Sequence, residues 1–273
     1  MSGILHGPAL LFCPADRDDR YEKALAAADT MILDLEDAVA PADKPAARER
    51  VAASALDPER TIVRVNPAGT ADHALDLAAL AGTGYRTAML AKAESAADLD
   101  ALHAAGHRVL ALCETARGVV HAEEIAAHPA AIGLMWGAED LIASMSGRSS
   151  RFGQGERDPG GYRDVARHAR SRVLFAAKAA GRAAVDSVHL DIADVEGLRA
   201  EALDAAASGF DATACIHPGQ AAVIRAAYAP TPAETDWAER VLAEAALRPG
   251  VFRFEGRMVD EPVLRQARAI LGR

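Results

Sequence analysis

Short apolar runs alternate with longer alanine-rich segments along most of the chain, and their spacing sets what each can form. Eight runs, at 9–13, 30–35, 61–65, 87–91, 108–113, 131–135, 183–189 and 212–216, are nearly continuous in small and branched apolar residues. Such runs suit strands buried on both faces, the condition of a parallel sheet. The segments between them, at 20–28, 45–55, 72–81, 95–105, 117–127, 161–180, 195–208 and 219–228, read as amphipathic helices. Several open near Asp, Ser or Thr and close near Gly, as capping requires. Eight strand–helix units is the number that closes a barrel. The expected fold is therefore α/β, a (β/α)8 TIM barrel over residues 1–228.

Two stretches depart from the repeat. Residues 144–161, between the sixth strand and its helix, are polar and glycine-rich, with Arg148, Arg151 and Arg157. They read as a mobile loop, either a solvated connection or a cover for substrate. After a proline-rich hinge at 229–232 come a helix at 233–247, a turn at 248–250, a strand-like 251–254 and a last helix from Glu261. Residues 229–273 thus exceed what barrel closure needs and are expected to form a C-terminal extension and lid.

Composition narrows the class. Hydrophobic residues make up 51% and aromatics only 4%, so the core must be built from Ala, Val, Leu and Ile. The net charge of −9 argues against a nucleic-acid surface, which needs clustered cations. Cys13, Cys113 and Cys215 stand far apart inside apolar runs, as buried reduced thiols do. No leader pattern opens the chain and no apolar stretch is long enough to cross a bilayer, so the expected setting is cytoplasmic, without a membrane partner.

In a barrel of this kind chemistry gathers where the strands end. That rule selects Asp34, Glu36 and Asp37 after strand two, Arg64 and Asn66 on strand three, and Lys92 and Glu94 after strand four. Later strands add Glu114, Glu139, Asp140, Asp186, His189 and His217. Many carboxylates without Cys/His pairs disfavour zinc and suit magnesium, which takes one or two protein carboxylates and keeps water or substrate in its other positions. Glu114 and Asp140, on adjacent strand ends, are placed to bind it. Each acid has a simpler alternative: Glu139 and Asp140 as the start of a helix, Asp37 as a turn cap. Arg64, in an apolar strand, needs a carboxylate from Glu36, Asp37 or an anionic substrate, and the substrate is the favoured partner. Lys92 reads as a charge partner for nearby acids rather than as a Schiff-base nucleophile. His189 and His217 read as hydrogen-bonded barrel histidines.

The runs Phe12-Cys13-Pro14-Ala15-Asp16-Arg17, Leu33-Asp34-Leu35-Glu36-Asp37-Ala38-Val39, Val63-Arg64-Val65-Asn66, Ala91-Lys92-Ala93-Glu94-Ser95, Glu114-Thr115-Ala116-Arg117-Gly118, Gly137-Ala138-Glu139-Asp140-Leu141 and Ile216-His217-Pro218-Gly219-Gln220 occur in order over nearly the whole chain. Together they resemble the citrate lyase beta-subunit family, the branch of the aldolase/citrate lyase superfamily that includes malyl-CoA and citramalyl-CoA lyases. Ala91 departs from the pattern, since relatives often carry proline there. The resemblance implies a homotrimeric barrel with magnesium on Glu114 and Asp140 and with Arg64 on the carboxylate of an oxo-acid. Glu114 and Lys92 would complete the substrate site, while Glu36 and Asp37 would orient Arg64 and the metal's water.

It also implies that Asp260, in the run 254–260, is a lid acid reaching a neighbour's active site. Arg17, Arg20, Lys23 and Lys44 would meet the phosphates of a CoA thioester, with helix-surface charge as the alternative for each. The implied activity is magnesium-dependent cleavage of a 3-hydroxyacyl-CoA of malyl- or citramalyl-CoA type to acetyl-CoA and an oxo-acid. A CoA-independent hydroxy-oxo-acid aldolase, or a subunit of a multi-component citrate lyase, are the alternatives.

Overall fold

The computed structural model describes residues 5–248 and 250–272. Eight parallel strands close into a barrel in sequence order: β1 Ala9–Pro14, β2 Thr30–Asp34, β3 Thr61–Val65, β4 Thr87–Leu90, β5 Arg108–Cys113, β6 Ala131–Trp136, β7 Ala183–Asp186 and β8 Ala212–Cys215. Alternation along each strand sorts the apolar side chains into two layers. Leu10, Ile32, Ile62, Leu110, Met135 and Val185 fill the barrel interior. Leu11, Leu33, Val63, Leu90 and Trp136 point outward into the packing with the helices. Alanine dominates the helix faces that meet the strands, so the helices lie close, and burial of both strand faces explains the uninterrupted apolar runs.

The helices around the barrel are α1 Tyr21–Ala27, α2 Lys44–Ala53, α3 Ala71–Leu80, α4 Asp100–Ala104, α5 Ala116–Val120, α6 Ala122–Ala127, α7 Ala138–Ser144, α8 Asp164–Ala179, α9 Val195–Ser208 and α10 Pro218–Tyr228. One helix expected at 117–127 is two, broken at His121, whose backbone leaves the helical region and whose ring nitrogen bonds the Glu94 carbonyl instead. The seventh strand ends at Asp186, short of the expected 189. There the carboxylate accepts from the Trp136 indole and from Arg170 and turns the chain by accepting the Ser187 N–H. The Trp136 and Arg170 bonds come from residues 50 and 16 positions away in sequence, so the apolar run alone could not show where pairing stops.

The polar stretch after α7 is a folded excursion. Arg151 bridges Tyr162 in antiparallel fashion, and the Phe152 N–H reaches the Gly161 carbonyl at 2.9 Å. Arg151 stacks over the Tyr162 ring and pairs with Glu201 of α9, and Glu156 is gripped by Arg163.

Beyond α10, α11 Pro232–Leu247, the hairpin β9 Phe252–Phe254 and β10 Arg257–Val259, and α12 Glu261–Leu271 pack around Ala238, Val241, Val259, Leu264 and Ala267. This cluster is separate from the two barrel layers. The second hairpin strand escapes the sequence pattern because Arg257 and Met258 are exposed. Among the described residues no helix is long and apolar enough to cross a membrane.

Candidate active site

A cavity of about 400 Å³ opens at the C-terminal ends of the strands. Its lining combines apolar residues, Phe12, Leu112, Met135 and Leu190, with the charged residues Asp34, Asp37, Arg64, Glu114, Glu139 and Asp140.

Strand register assembles the charged lining. Asp34 pairs with Arg64 across β2 and β3, which sets the two side chains next to each other. The guanidinium Nε donates to Asp34 Oδ1 at 2.7 Å, Nη2 donates to Oδ2, and Nη1 lies 3.1 Å from Glu36 Oε2. Phe12 presents its ring face 5.0 Å from the guanidinium carbon. Burial opposes the charge on Arg64, but the Asp34 and Glu36 carboxylates outweigh it and raise its pKa further. Of five N–H donors three are engaged. Arg64 also lines the cavity.

Lys92, just past β4, has a left-handed backbone (φ 50°) that turns its side chain across the mouth of the site. Its ammonium contacts Glu36, lies 2.9 Å from Asp37 Oδ2 and 3.6 Å from Asp140 Oδ1. Burial disfavours that charge, yet the Glu36 and Asp37 contacts more than compensate and raise the pKa. Its contacts are those of a charge partner for these carboxylates, and a raised pKa does not suit a Schiff-base nucleophile. Glu36 is shifted upward, burial outweighing its two cations, whereas at Asp37 burial is the largest single influence but the contacts with Lys92, Glu36 and Arg64 together outweigh it and the shift is downward.

Glu114, which directly follows β5, is almost wholly enclosed. Its carboxyl pKa is pushed up to about 8, first by burial and then by the charge of Asp140. Oε1 accepts the Lys92 N–H at 3.2 Å. Asp140 sits in the first turn of α7 but caps nothing: the N-cap is Gly137, without a side-chain cap bond. A buried carboxyl whose ionisation is opposed by burial and by a second carboxylate, beside an open cavity, suits a divalent cation. Among the described residues no three His, Cys, Asp or Glu side chains form a metal cage. The donor set therefore fits magnesium, which completes its shell with water and substrate oxygens, and does not fit a closed site. Glu139 points elsewhere, accepting the Ser150 hydroxyl of the excursion.

The remaining candidates disperse. Arg17 pairs with Asp19 at 3.1 Å, and Arg20 and Lys23 are exposed on the turn and helix after β1. Lys44 is apart from them, buried, with its ammonium on the Asn66 side-chain oxygen. Asp260 caps α12 by accepting the Val263 N–H at 3.4 Å and does not line the cavity of its own chain. His189 bonds Glu201 at 2.9 Å, and His217 caps α10.

Several residues that matter here carried no role in the sequence reading. Asp34 was visible only as one of several strand-end acids, and its fork on Arg64 depends on register. Phe12 gave no polar signal. Asp76, on the outer helix α3, lay outside the strand-end rule altogether.

Comparison with known proteins places the chain among relatives. The model of the HpcH/HpaI aldolase/citrate lyase family matches residues 9–218. A citrate lyase subunit beta-like protein of Mycobacterium tuberculosis is 60% identical over 98% of this chain and 95% of its own length. The mitochondrial citramalyl-CoA lyase of Rattus norvegicus is 30% identical, covering 96% of this chain and 84% of the relative. The crystal structure of the M. tuberculosis protein CitE in complex with magnesium, acetoacetate and coenzyme A superposes with a TM-score of 0.93 at 59% identity, covering 98% of this chain and 97% of that one.

Proposed function

The chain belongs to the HpcH/HpaI aldolase/citrate lyase family, and from that premise we propose that it is a magnesium-dependent lyase that cleaves a 3-hydroxyacyl-CoA to acetyl-CoA and an oxo-acid. The observation that carries the reading is the juxtaposition of a buried Glu114 carboxyl, whose pKa burial and the nearby Asp140 charge raise, with the Arg64 guanidinium lining the same cavity. A magnesium ion on Glu114 and Asp140 would supply Lewis-acid polarisation of the substrate oxygen that becomes the carbonyl of the oxo-acid.

The rest is the work of the protein. Arg64, fixed by Asp34 and Glu36 and backed by Phe12, holds the substrate carboxylate in one orientation. Lys92 balances the charge of Glu36 and Asp37, so the acid-rich site does not repel the anionic substrate. As the bond between the carbinol carbon and the thioester's α-carbon breaks, its electron pair moves onto the thioester as an enolate, and the hydroxyl gives up its proton to water at the open mouth of the site. Asp260 of a neighbouring subunit's tail, residues 229–273, then delivers a proton to the enolate carbon, forming acetyl-CoA. Arg17, Arg20 and Lys23 form the cationic edge for the CoA phosphates.

Two kinds of oxo-acid come into question. A malyl or citramalyl thioester releases glyoxylate or pyruvate. The relative that holds acetoacetate and coenzyme A together favours a second class, a 3-hydroxy-3-methylglutaryl thioester, whose cleavage at the same bond releases acetoacetate. Incubating the protein with each thioester, with and without magnesium, and following released acetyl-CoA should show metal-dependent turnover of at least one. Glu114→Ala should lower it by a factor on the order of 10³, the scale of losing a principal electrostatic stabiliser. Undiminished turnover in that variant would overturn the reading.

A further inference from the structure

The hydrogen bonds behind Arg64 contain an exchange that the parallel ladder does not predict. With Asp34 opposite Arg64, the ladder continues for one bond, the Leu35 N–H to the Arg64 carbonyl at 3.0 Å. In an uninterrupted ladder the next donor to the Leu35 carbonyl would be the Asn66 N–H. Instead that N–H goes to Asp76 Oδ2 at 2.8 Å, and the Asn66 side-chain amide takes its place on Leu35 at 3.0 Å. The same amide nitrogen also donates to Asp76 Oδ2 at 2.7 Å.

Asp76 is fully buried on α3, and its other oxygen accepts Arg48 Nε of α2 at 2.7 Å. The Asn66 carbonyl accepts His73 Nδ1 at 2.8 Å, and its side-chain oxygen accepts Lys44. Every polar group of Asn66 is thus held, from two helices of the outer layer. Such a network has a use beyond stability, because Asn66 is two residues from Arg64 and the Leu35 carbonyl that it holds lies between Asp34 and Glu36. A buried network in which every polar atom of Asn66 and both carboxylate oxygens of Asp76 are paired fixes one geometry, although His73 Nε2 at its edge has no hydrogen-bond partner among the described residues.

We propose that Asp76 is a positioning residue: from the helix layer it draws the Asn66 N–H out of the ladder and sets the spacing of the β2 and β3 ends at which Arg64 meets the oxo-acid carboxylate. The proposal rests on the reading of Arg64 given above. It distinguishes two parts of the site, joined through the Lys92 contacts with Glu36, Glu114 and Asp140. Arg64 and its carboxylates hang on the β2–β3 clamp, whereas Glu114 and Asp140 ride on β5 and α7, which the clamp does not touch.

The test is calorimetry on the full chain with pyruvate as the oxo-acid, magnesium present, and magnesium titrated separately. Asp76→Asn leaves one acceptor where two donor groups and Arg48 compete. The milder Asn66→Ser keeps the backbone N–H on Asp76 but removes the amide that joins Asp76 to the Leu35 carbonyl, and with it the Lys44 bond, so it breaks the link from Asp76 to the β2 end in the case in which Asp76→Asn does not fold. Each should weaken pyruvate binding by about tenfold or more, the scale of a displaced orienting group, and leave magnesium affinity within about twofold.

Arg64→Lys, combined with Asn66→Ser, should cost less than the two losses added, since both act through one guanidinium. Additive losses, unchanged pyruvate affinity, or pyruvate and magnesium weakened together would each overturn the proposal. If Arg64→Lys alone leaves pyruvate binding intact, it is the underlying reading of the site that fails.

Discussion

Gly137 shows how narrowly Glu114, one of the two proposed metal ligands, is housed. A Cβ there would lie 2.7 Å from Glu114 Oε2 and 2.9 Å from Glu114 Cβ, closer than real atoms approach. The side-chain end can swing, but its own Cβ cannot, and burial leaves little room behind it. The absence of a side chain at 137 therefore sets the position of a carboxylate on the neighbouring strand end. Gly137→Ala should weaken magnesium binding by about tenfold, roughly 1.4 kcal/mol. The overpacking should also lower stability by about 1–2 kcal/mol. Calorimetric titration of the metal against urea unfolding separates the two, and an unaltered magnesium affinity would show that Glu114 is not confined. The sequence displays a glycine before a helix, for which a cap is sufficient reason, and the crowding belongs to a residue 23 positions earlier.

The excursion between α7 and α8 is the element whose character differs most from its composition. Gly and Arg content reads as solvated chain, but arginine finds partners once the barrel is formed: Arg151 pairs with Glu201, and Glu201 also accepts from His189 beyond β7. The hydrogen bond to Glu201 raises the His189 pKa above its ordinary 6.5, and burial does not cancel it. Glu201 shifts down in turn, the contacts with His189 and Arg151 outweighing its burial. A folded-state histidine pKa above the unfolded value contributes stability that is fully present below the unfolded value and is lost as pH rises through the folded one. His189→Gln should accordingly cost about 1–2 kcal/mol near pH 5.5 and less near pH 9. Urea unfolding at both values checks this; equal losses would mean that the ring charge adds nothing to the tether.

At the scale of the molecule, the tail forms its own small core away from the barrel, with Leu247, Val251 and Met258 exposed on it and Asp260 outside its own cavity. A site completed by a neighbour's tail is testable without knowing the symmetry. Glu114→Ala and Asp260→Ala chains should each be inactive. Unfolded together in equal amounts and refolded, they should recover about a quarter of wild-type turnover, because a site works only where an intact Glu114 meets an intact Asp260 from the adjacent chain. If the mixture stays inactive while each variant alone assembles normally, Asp260 does not act across chains.

The sequence by itself determined the eight strands, their order around the barrel, and the acids and cations gathered at one end. These follow from local periodicity and from a closure rule that sends every strand end to the same face. It did not determine who pairs with whom. That Asp34 forks Arg64, that Lys92 is neutralised by Glu36 and Asp37, and that Lys44 turns inward to Asn66 depend on register and helix packing between residues 22 to 56 positions apart. The rise of the Glu114 pKa depends on burial, which no single segment encodes. Local composition specifies elements because hydrophobic patterning acts over a turn or a strand. Charges are assigned only when the folded barrel brings distant segments within hydrogen-bond reach and removes the water that would otherwise have served each of them.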